Sequence, residues 1–215
     1  MKVAIFGGRG SGENAAHAAV RIAATGAPAS VVGYLNDRLP VGEALFGGPV
    51  LGAFADWRSL PEDVRFVTTV HKPGAMAGRL DLFDRLGVPA DRWASILDPG
   101  AVIAENARLS APLIAAAFAF VCPGASIGRH VSLRHQAVIG HDVTIGDFVF
   151  VGAGTVVSGY CTLKPGAYLG PGSVVREGVT LGRCCVVGIG STVVGDVPDY
   201  AVVAGNPARP LDAPR

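Results

Sequence analysis

The chain has 215 residues and a formal net charge of +1, and half of its residues are apolar. This balance excludes electrostatic attraction to nucleic acid or to an anionic membrane surface, and no apolar run is long enough to span a bilayer. The four cysteines, Cys122, Cys161, Cys184 and Cys185, have the spacing of neither a zinc site nor a disulfide framework. This cysteine spacing indicates a reducing compartment, so we expect a cytoplasmic protein. The first residues are too short for a signal peptide and run directly into a glycine loop.

The first 95 residues predict an α/β domain with a small Rossmann-like parallel sheet. A buried strand at residues 2–6 is followed by a glycine loop at residues 7–12 and by a helix at residues 13–25. The remaining predicted elements are strands at residues 29–35 and 64–70, a helix at residues 76–86, and a linker at residues 89–99. This strand, helix, strand order is typical of a parallel sheet.

The glycine loop is a candidate phosphate site. Glycines between a strand and a helix let backbone N–H groups approach a diphosphate, whose charge the helix N-terminus favours. An acid at the end of the next strand, here Asp37, can accept hydrogen bonds from a ribose or a base. The alternative is a tight strand-to-helix turn without a ligand, and the short domain argues against a redox dinucleotide.

The second half of the chain repeats every six residues. In sixteen consecutive hexads from Ala101 to Asp196, the third residue is Ile, Leu or Val fifteen times, with Ala115 as the exception. An α-helix cannot use this period, whereas a parallel β-helix can, with one short strand and one corner in each hexad. A β-sandwich would alternate with period two. We therefore expect residues 96–215 to form a β-helix domain, in which the frequent glycine after the inward residue relieves strained corner angles.

His141 is the candidate catalytic base. It follows the inward Ile139 by two residues in the segment VIGHD at residues 138–142, which places it at an outward corner. An imidazole with an ordinary pKa near 6.5 can take a proton from an amine or alcohol at neutral pH. Asp142 reaches the ring only if the corner turns both side chains to one side; otherwise it caps the turn.

The histidines also suggest a metal hypothesis, because His130, His135 and His141 lie close in sequence. Carbonic anhydrases of the gamma type hold zinc between β-helix subunits, but they need a further histidine upstream, and position 94 is Ala94. We therefore expect no metal.

These motifs together resemble the bacterial sugar acyltransferases of the sialic-acid O-acetyltransferase and bacillosamine or perosamine N-acetyltransferase group. The motifs are GGRGSG at residues 7–12, Asn36-Asp37, the hexads, VIGHDVTIG at residues 138–146, and VAGNPA at residues 203–208. The hexads and the last motif occur in many acyltransferases, and their combination with an N-terminal glycine-loop domain is more specific. The resemblance covers nearly the whole chain.

The resemblance implies a homotrimer of left-handed β-helices with active sites between subunits. It implies that acetyl-CoA, the co-substrate, lies between neighbouring prisms beside Gly159, Gly170 and Gly188. It implies that His141, supported by Asp142, deprotonates the acceptor. It also implies a nucleotide-linked sugar on the N-terminal domain, where the expected contacts are Gly8, Arg9, Gly10, Ser11, Asn36, Asp37 and Arg134.

Three departures from the family pattern fall on the acceptor side. Ser11 stands where the family usually has histidine, and the third strand ends in TTVH at residues 68–71 where the family usually has Gly-Asn. Arg134 replaces an asparagine that contacts the sugar, so it either binds an anionic group or blocks the usual sugar.

Three functions follow from these observations. The first is N-acetylation of a nucleotide-linked amino sugar for a surface glycan. The second is O-acetylation of a sugar hydroxyl by the same base, which only a substrate panel separates from the first. The third is a non-catalytic or metal-binding hexapeptide trimer.

Overall fold

The computed structural model describes residues 1–211. The N-terminal elements are β1 (Lys2–Phe6), α1 (Ser11–Ala24), β2 (Ser30–Leu35), β3 (Ala44–Leu45), β4 (Gly48–Gly52), a 3-10 helix (Phe54–Ser59), β5 (Val64–Thr68), α2 (Met76–Leu86) and a 3-10 helix (Ala90–Arg92). No helix among residues 1–211 combines the length and apolar character that crossing a bilayer requires.

The N-terminal sheet has five strands in the order β3-β4-β2-β1-β5. β1 pairs in parallel with β2 and β5, and β2 pairs in parallel with β4, which confirms the predicted Rossmann-like centre. The antiparallel β3–β4 hairpin at one edge was not predicted, because β3 has only two residues and β4 contains two glycines and a proline. The sheet therefore has two more strands than the three expected from the sequence.

The second half forms a parallel β-helix with three faces, which confirms the predicted fold class. The covered face, against which the N-terminal domain packs, comprises Ile96–Leu97, Leu113–Ala115, Val131–Leu133, Phe150–Val151, Tyr168–Leu169, Val186–Val187, Val202–Gly205 and Ala208–Pro210. The apolar face comprises Val102–Ile103, Phe120–Val121, Val138–Ile139, Val156–Val157, Val174–Val175 and Thr192–Val193. The polar face comprises Arg108–Leu109, Ser126–Ile127, Thr144–Ile145, Thr162–Leu163 and Thr180–Leu181.

Inward residues stack in columns, because each strand pairs with the strand one coil further along. Val138 and Ile139, for example, pair with Val156 and Val157. Leu133 and its successors in one column are fully buried, and burying such side chains stabilises the prism by roughly 1.5–3 kcal/mol each. The hexad period therefore gives the prism its core.

The glycines after the inward residues have a different cause from the one expected. The left-handed conformation lies instead at the sixth hexad position, with φ of 55° at Asp142 and 58° at His130. A Cβ at Gly146 would lie 2.8 Å from the backbone nitrogen of Pro165, and a Cβ at Gly170 would lie 2.7 Å from that of Ile189. These glycines therefore let successive coils approach each other and do not relieve corner strain.

The two domains share an apolar core. Helix α2 lies on the covered face, where Leu80 and Phe83 join Phe148 and Cys184 in one buried cluster. Helix α1 is held to the first coil by an ion pair from Arg21 Nε to Asp98 Oδ2 at 2.7 Å. The predicted linker is thus ordered, and its last residues already form the first coil strand, Ile96–Leu97.

Candidate functional site

A cavity of about 490 Å³ opens at the carboxyl ends of β1, β2 and β5. This is the edge of a parallel sheet at which ligands bind in doubly wound folds. Of the residues predicted for the acceptor, the lining includes Gly8, Arg9, Ser11, Asn36 and Asp37. The sequence therefore located one end of this cavity.

The glycine loop is built around Asn36. Its Nδ2 donates a hydrogen bond to the Gly7 carbonyl at 2.8 Å, and its Oδ1 accepts from the backbone of Arg38 and Leu39 at 2.8 and 3.0 Å. A Cβ at Gly8 would lie 2.7 Å from the same Nδ2 atom. Asn36 thus ties the two loops together with both ends of its amide, so the side chain shapes the cavity wall.

Gly10 does not line the cavity. It is the N-cap of α1, and its backbone N–H donates to Glu13 Oε2 at 3.0 Å. This contact, together with a hydrogen bond from Phe46 N, lowers the pKa of Glu13. Because a carboxylate of the chain already uses this N–H, the first turn of α1 offers a phosphate fewer donors than the glycine pattern suggested.

Three cations line the cavity that sequence reasoning did not assign. They are Arg38, Lys72 and Arg79, and within residues 1–211 none of them pairs with a carboxylate. Arg79 Nε is buried without a hydrogen-bond partner. The loop after β5 could have been assigned, because parallel strands end at one edge of a sheet. Arg79 comes from α2, and only the packing of that helix brings it here.

His141 and Asp142 form a hydrogen-bonded pair on the surface of the β-helix. The distance from His141 Nδ1 to Asp142 Oδ2 is 3.0 Å, and each side chain is about half exposed, at 52% and 51%. Asp142 has a left-handed φ of 55°, and its carboxylate reaches the neighbouring ring. This pairing favours the tautomer with the proton on Nδ1, which leaves the Nε2 lone pair available.

Gly159 lies directly beneath the imidazole, one coil further along. A Cβ at Gly159 would lie 2.6 Å from His141 Nε2, and the Tyr160 ring contacts the imidazole edge-on with ring centroids 4.8 Å apart. Gly170 and Gly188 lie instead at the corner between the covered and apolar faces. The three glycines predicted to border CoA therefore occupy two different corners of the prism.

Arg134 lies at that same corner between the covered and apolar faces, and it is outside the cavity lining. The residue is only 7% exposed, and its guanidinium carbon lies 6.0 Å from the centre of the Phe150 ring. Burial lowers the pKa of Arg134. It is close enough to His71, a lining residue, that its charge disfavours protonation of that imidazole.

The histidines of the metal hypothesis are not brought together. His130 is at the corner between the polar and covered faces, where its ring stacks on Phe148 at 4.4 Å, while His135 and His141 are at the other two corners. Among residues 1–211 there is no group of three potential metal ligands. Burial lowers the pKa of both His130 and His71 to about 4, so both imidazoles are neutral at pH 7.

The N-terminal cavity and His141 are on different sides of one chain. The cavity adjoins the covered face through His71, whose Nε2 lies 3.3 Å from the His130 carbonyl oxygen. His141 lies at the far edge of the apolar face, between Val138–Ile139 and Thr144–Ile145. A single chain therefore does not bring His141 to the cavity.

Comparisons with known proteins agree with this architecture. Residues 117–159 match the family model described as bacterial transferase hexapeptide (six repeats). A curated relative, GDP-perosamine N-acetyltransferase of Escherichia coli O157:H7, is 30% identical over 123 residues, which cover 54% of this chain and 55% of that protein. The chain thus spans about half the length of the curated relatives it matches.

Two solved structures match nearly the whole chain. The acetyltransferase domain of PglB from Neisseria gonorrhoeae, in complex with acetyl coenzyme A, is 28% identical with a TM-score of 0.83 over 98% of both chains. PerB from Caulobacter crescentus, in complex with CoA and GDP-perosamine, is 25% identical with a TM-score of 0.78 over 99% of this chain and 98% of that one. These matches confirm the resemblance to the hexapeptide-repeat sugar acyltransferase group that the sequence predicted.

Proposed function

We propose that this protein is an acetyl-CoA-dependent N-acetyltransferase that acts on the amino group of a nucleotide-linked amino sugar in glycan biosynthesis. The observation that carries the proposal is the hydrogen-bonded pair of His141 and Asp142 at an exposed corner of a hexapeptide β-helix. The matches to PglB, bound to acetyl coenzyme A, and to PerB, bound to CoA and GDP-perosamine, support both substrates.

In the proposed reaction the acceptor amine attacks the thioester directly. The nitrogen lone pair forms a bond to the acetyl carbonyl carbon, and His141 Nε2 takes the proton that the nitrogen loses. The carbon–sulfur bond then breaks, and the CoA thiolate leaves and receives that proton. The Asp142 carboxylate holds Nδ1–H and stabilises the imidazolium, as general-base catalysis requires. The products are an amide and the free CoA thiol.

The N-terminal cavity is the proposed site of the nucleotide-linked sugar. Arg38 and Lys72, which have no carboxylate partner among the described residues, are positioned to offset the charge of a diphosphate. Asp37 uses one carboxylate oxygen to accept a hydrogen bond from Phe54 N at 2.7 Å. Its other oxygen is the proposed acceptor for a ribose or base. We accordingly assign acceptor binding to residues 1–95 and acyl transfer to residues 96–215.

A homotrimer would bring the cavity of one subunit to the base of the next. The apolar face carries Val102, Phe120 and Val174 outward with 52%, 42% and 40% of their surface exposed. The outward residues of the polar face are Arg108, Ser126, Thr144, Thr162 and Thr180. An uncovered apolar strip of this kind marks an association surface, and Arg134 and His141 stand at its two edges. We place CoA in the groove that such an assembly forms, beside Gly159, Gly170 and Gly188. The four cysteines are free thiols, so a reducing cytoplasm remains the expected compartment.

The test is a coupled assay for the CoA thiol with acetyl-CoA and a panel of UDP- and GDP-linked sugars. The panel pairs sugars that carry an amine with sugars that carry only hydroxyls. We expect turnover with amino sugars, and we expect His141→Asn to lower kcat about 10²–10⁴-fold while the Kd for CoA, measured by calorimetry, stays unchanged.

His17→Asn is the matched control, because His17 is exposed on α1 and lies outside the cavity lining. Near-normal turnover in His141→Asn would refute the assignment of the base. Turnover only with hydroxyl acceptors would replace N-acetylation by O-acetylation, and stoichiometric zinc without CoA binding would point to a non-catalytic protein.

A further inference from the structure

Arg134 is the one long side chain in a column of otherwise short side chains. The column runs along the corner between the covered and apolar faces, with one residue from each coil, as the backbone hydrogen bonds from Arg134 N to Val151 O and from Gly152 N to Leu169 O indicate. Its other members are Asp98, Ala116, Gly152, Gly170, Gly188 and Ala204. A long cationic side chain at this one position is therefore not required by the stacking of the coils.

Arg134 is only 7% exposed, and its guanidinium has no counter-charge among the described residues. Among residues 1–211 no carboxylate forms an ion pair with it, and its side chain donates no hydrogen bond. Asp98, which influences the neighbouring His135, is already bound to Arg21 and to the backbone N–H of Gly100. A buried charge without a partner destabilises a fold, so an anion from outside the chain would relieve a cost that the chain carries alone.

The surroundings of Arg134 would place such an anion next to the N-terminal cavity. His71 lines the acceptor cavity, and its ring centre lies 5.5 Å from that of Phe150, the ring that Arg134 also approaches. His71 is neutral at pH 7, so it neither supplies nor repels charge there. Arg134 therefore stands near His71, where the cavity meets the apolar face.

We propose that Arg134 binds a carboxylate carried by the acceptor sugar, so that the acceptor is a nucleotide-linked amino sugar with an acidic group. This inference rests on the proposed function and narrows its substrate class. The planar guanidinium fork matches the two oxygens of a carboxylate. The diphosphate is assigned to Arg38 and Lys72, which leaves Arg134 free for a group on the sugar.

The first experiment measures binding without catalysis. The probes are two pairs of nucleotide sugars: UDP-glucuronic acid with UDP-glucose, and GDP-mannuronic acid with GDP-mannose. In each pair the first sugar carries a carboxylate at C6 and the second carries a hydroxymethyl group there. We expect the acidic member of one pair to bind roughly tenfold tighter or more by calorimetry, as a charge-assisted hydrogen bond provides. Arg134→Gln should abolish the difference, whereas Arg108→Gln, on the exposed polar face, should preserve it. Equal affinities within both pairs would overturn the inference.

The second experiment measures turnover with acidic and neutral nucleotide-linked amino sugars. We expect a higher kcat/KM for acidic acceptors in the native protein and loss of that preference in Arg134→Gln. Turnover with neutral acceptors alone overturns this inference and leaves the proposed function standing. Absence of turnover with every acceptor overturns the proposed function and the inference with it.

Two further measurements separate the acceptor from other sources of the anion. A carboxylate of a neighbouring subunit predicts that Arg134→Gln dissociates the assembly in light scattering or lowers Tm. A phosphate of CoA predicts a weaker Kd for CoA in the variant. Either result overturns the inference. We expect an unchanged mass, an unchanged Kd for CoA, and a Tm that is unchanged or higher, because removing an unpaired buried charge does not destabilise the fold.

Discussion

The β-helix and the α/β domain place their functional residues by different rules. In the β-helix the neighbours of a residue lie one coil away, so Gly159 lies beneath His141 and a Cβ at Gly124 would meet Asp142. In the α/β domain the contacts span irregular separations, as between Asn36 and Gly7 or between Asp37 and Phe54. A repeat protein contacts mainly its own neighbouring repeats. The first kind of site is therefore encoded by a period, and the second by the assembly of a sheet.

The difference matters for how the two regions tolerate change. A substitution in the β-helix acts on a known residue one coil away, whereas a substitution in the acceptor cavity acts through loops that several strands hold together. The largest effect is expected where two residues stack one coil apart in the β-helix. A smaller effect is expected where the two regions meet, and the smallest at a pair of adjacent residues.

Because residues one coil apart contact each other, we expect Gly159→Ala to lower kcat without lowering Tm. The new methyl group would occupy the space of His141 Nε2, which lies 2.6 Å from the Cβ position. The imidazole must move aside, and a displacement of about 1 Å at a reacting group can lower the rate about a hundredfold. The measurements are kcat in the thiol assay and Tm.

Gly195→Ala is the matched control in the same column. No atom lies within 4 Å of a Cβ at Gly195, so this variant should retain both kcat and Tm. If Gly159→Ala has the same kcat as Gly195→Ala, the imidazole is not held over Gly159 during turnover.

The contact between the two regions predicts that the free energy of unfolding falls in acid. His71 and His130 are neutral in the fold because burial lowers the pKa of each to about 4. Since the unfolded chain binds their protons near pH 6.5, their contribution is complete above pH 6.5 and is lost as the pH falls toward 4. The free energy of unfolding should drop by about 2 kcal/mol for each imidazole between pH 7 and pH 5.

Urea unfolding at the two pH values measures this loss, and His71→Gln should remove the part that His71 contributes. His17→Gln is the control, because that ring is exposed on α1. An equal pH dependence in the native protein and in His71→Gln would contradict burial of a neutral imidazole between the regions.

The smallest effect is expected at Asp142. Asp142→Asn keeps the left-handed backbone, which asparagine tolerates, and removes only the charge beside His141. Because the pair is about half exposed, its charge interaction contributes at most about 1 kcal/mol, or about a fivefold loss of kcat. A loss as large as that of His141→Asn would show that Asp142 has a further role in the reaction.

Several features of the site could be predicted from the sequence. The hexad period predicted the inward residues and placed His141 at a corner, and the glycine loop marked one end of the N-terminal cavity. The β3–β4 hairpin, Arg79 and the exclusion of Gly10 from the cavity could not be predicted. Each of these features depends on contacts that form only when the chain has folded, and no sequence pattern marks them.

The sequence by itself determined the β-helix, because a period of six with inward aliphatic residues has one way to bury them, and this local rule repeats along the chain. Only the tertiary structure decided that Arg134 is buried without a partner, that His71 and His130 are neutral, and that His141 lies on the far side of the apolar face from the acceptor cavity. These properties depend on how the α/β domain packs on one face of the prism. That contact joins residues far apart in sequence and follows no period.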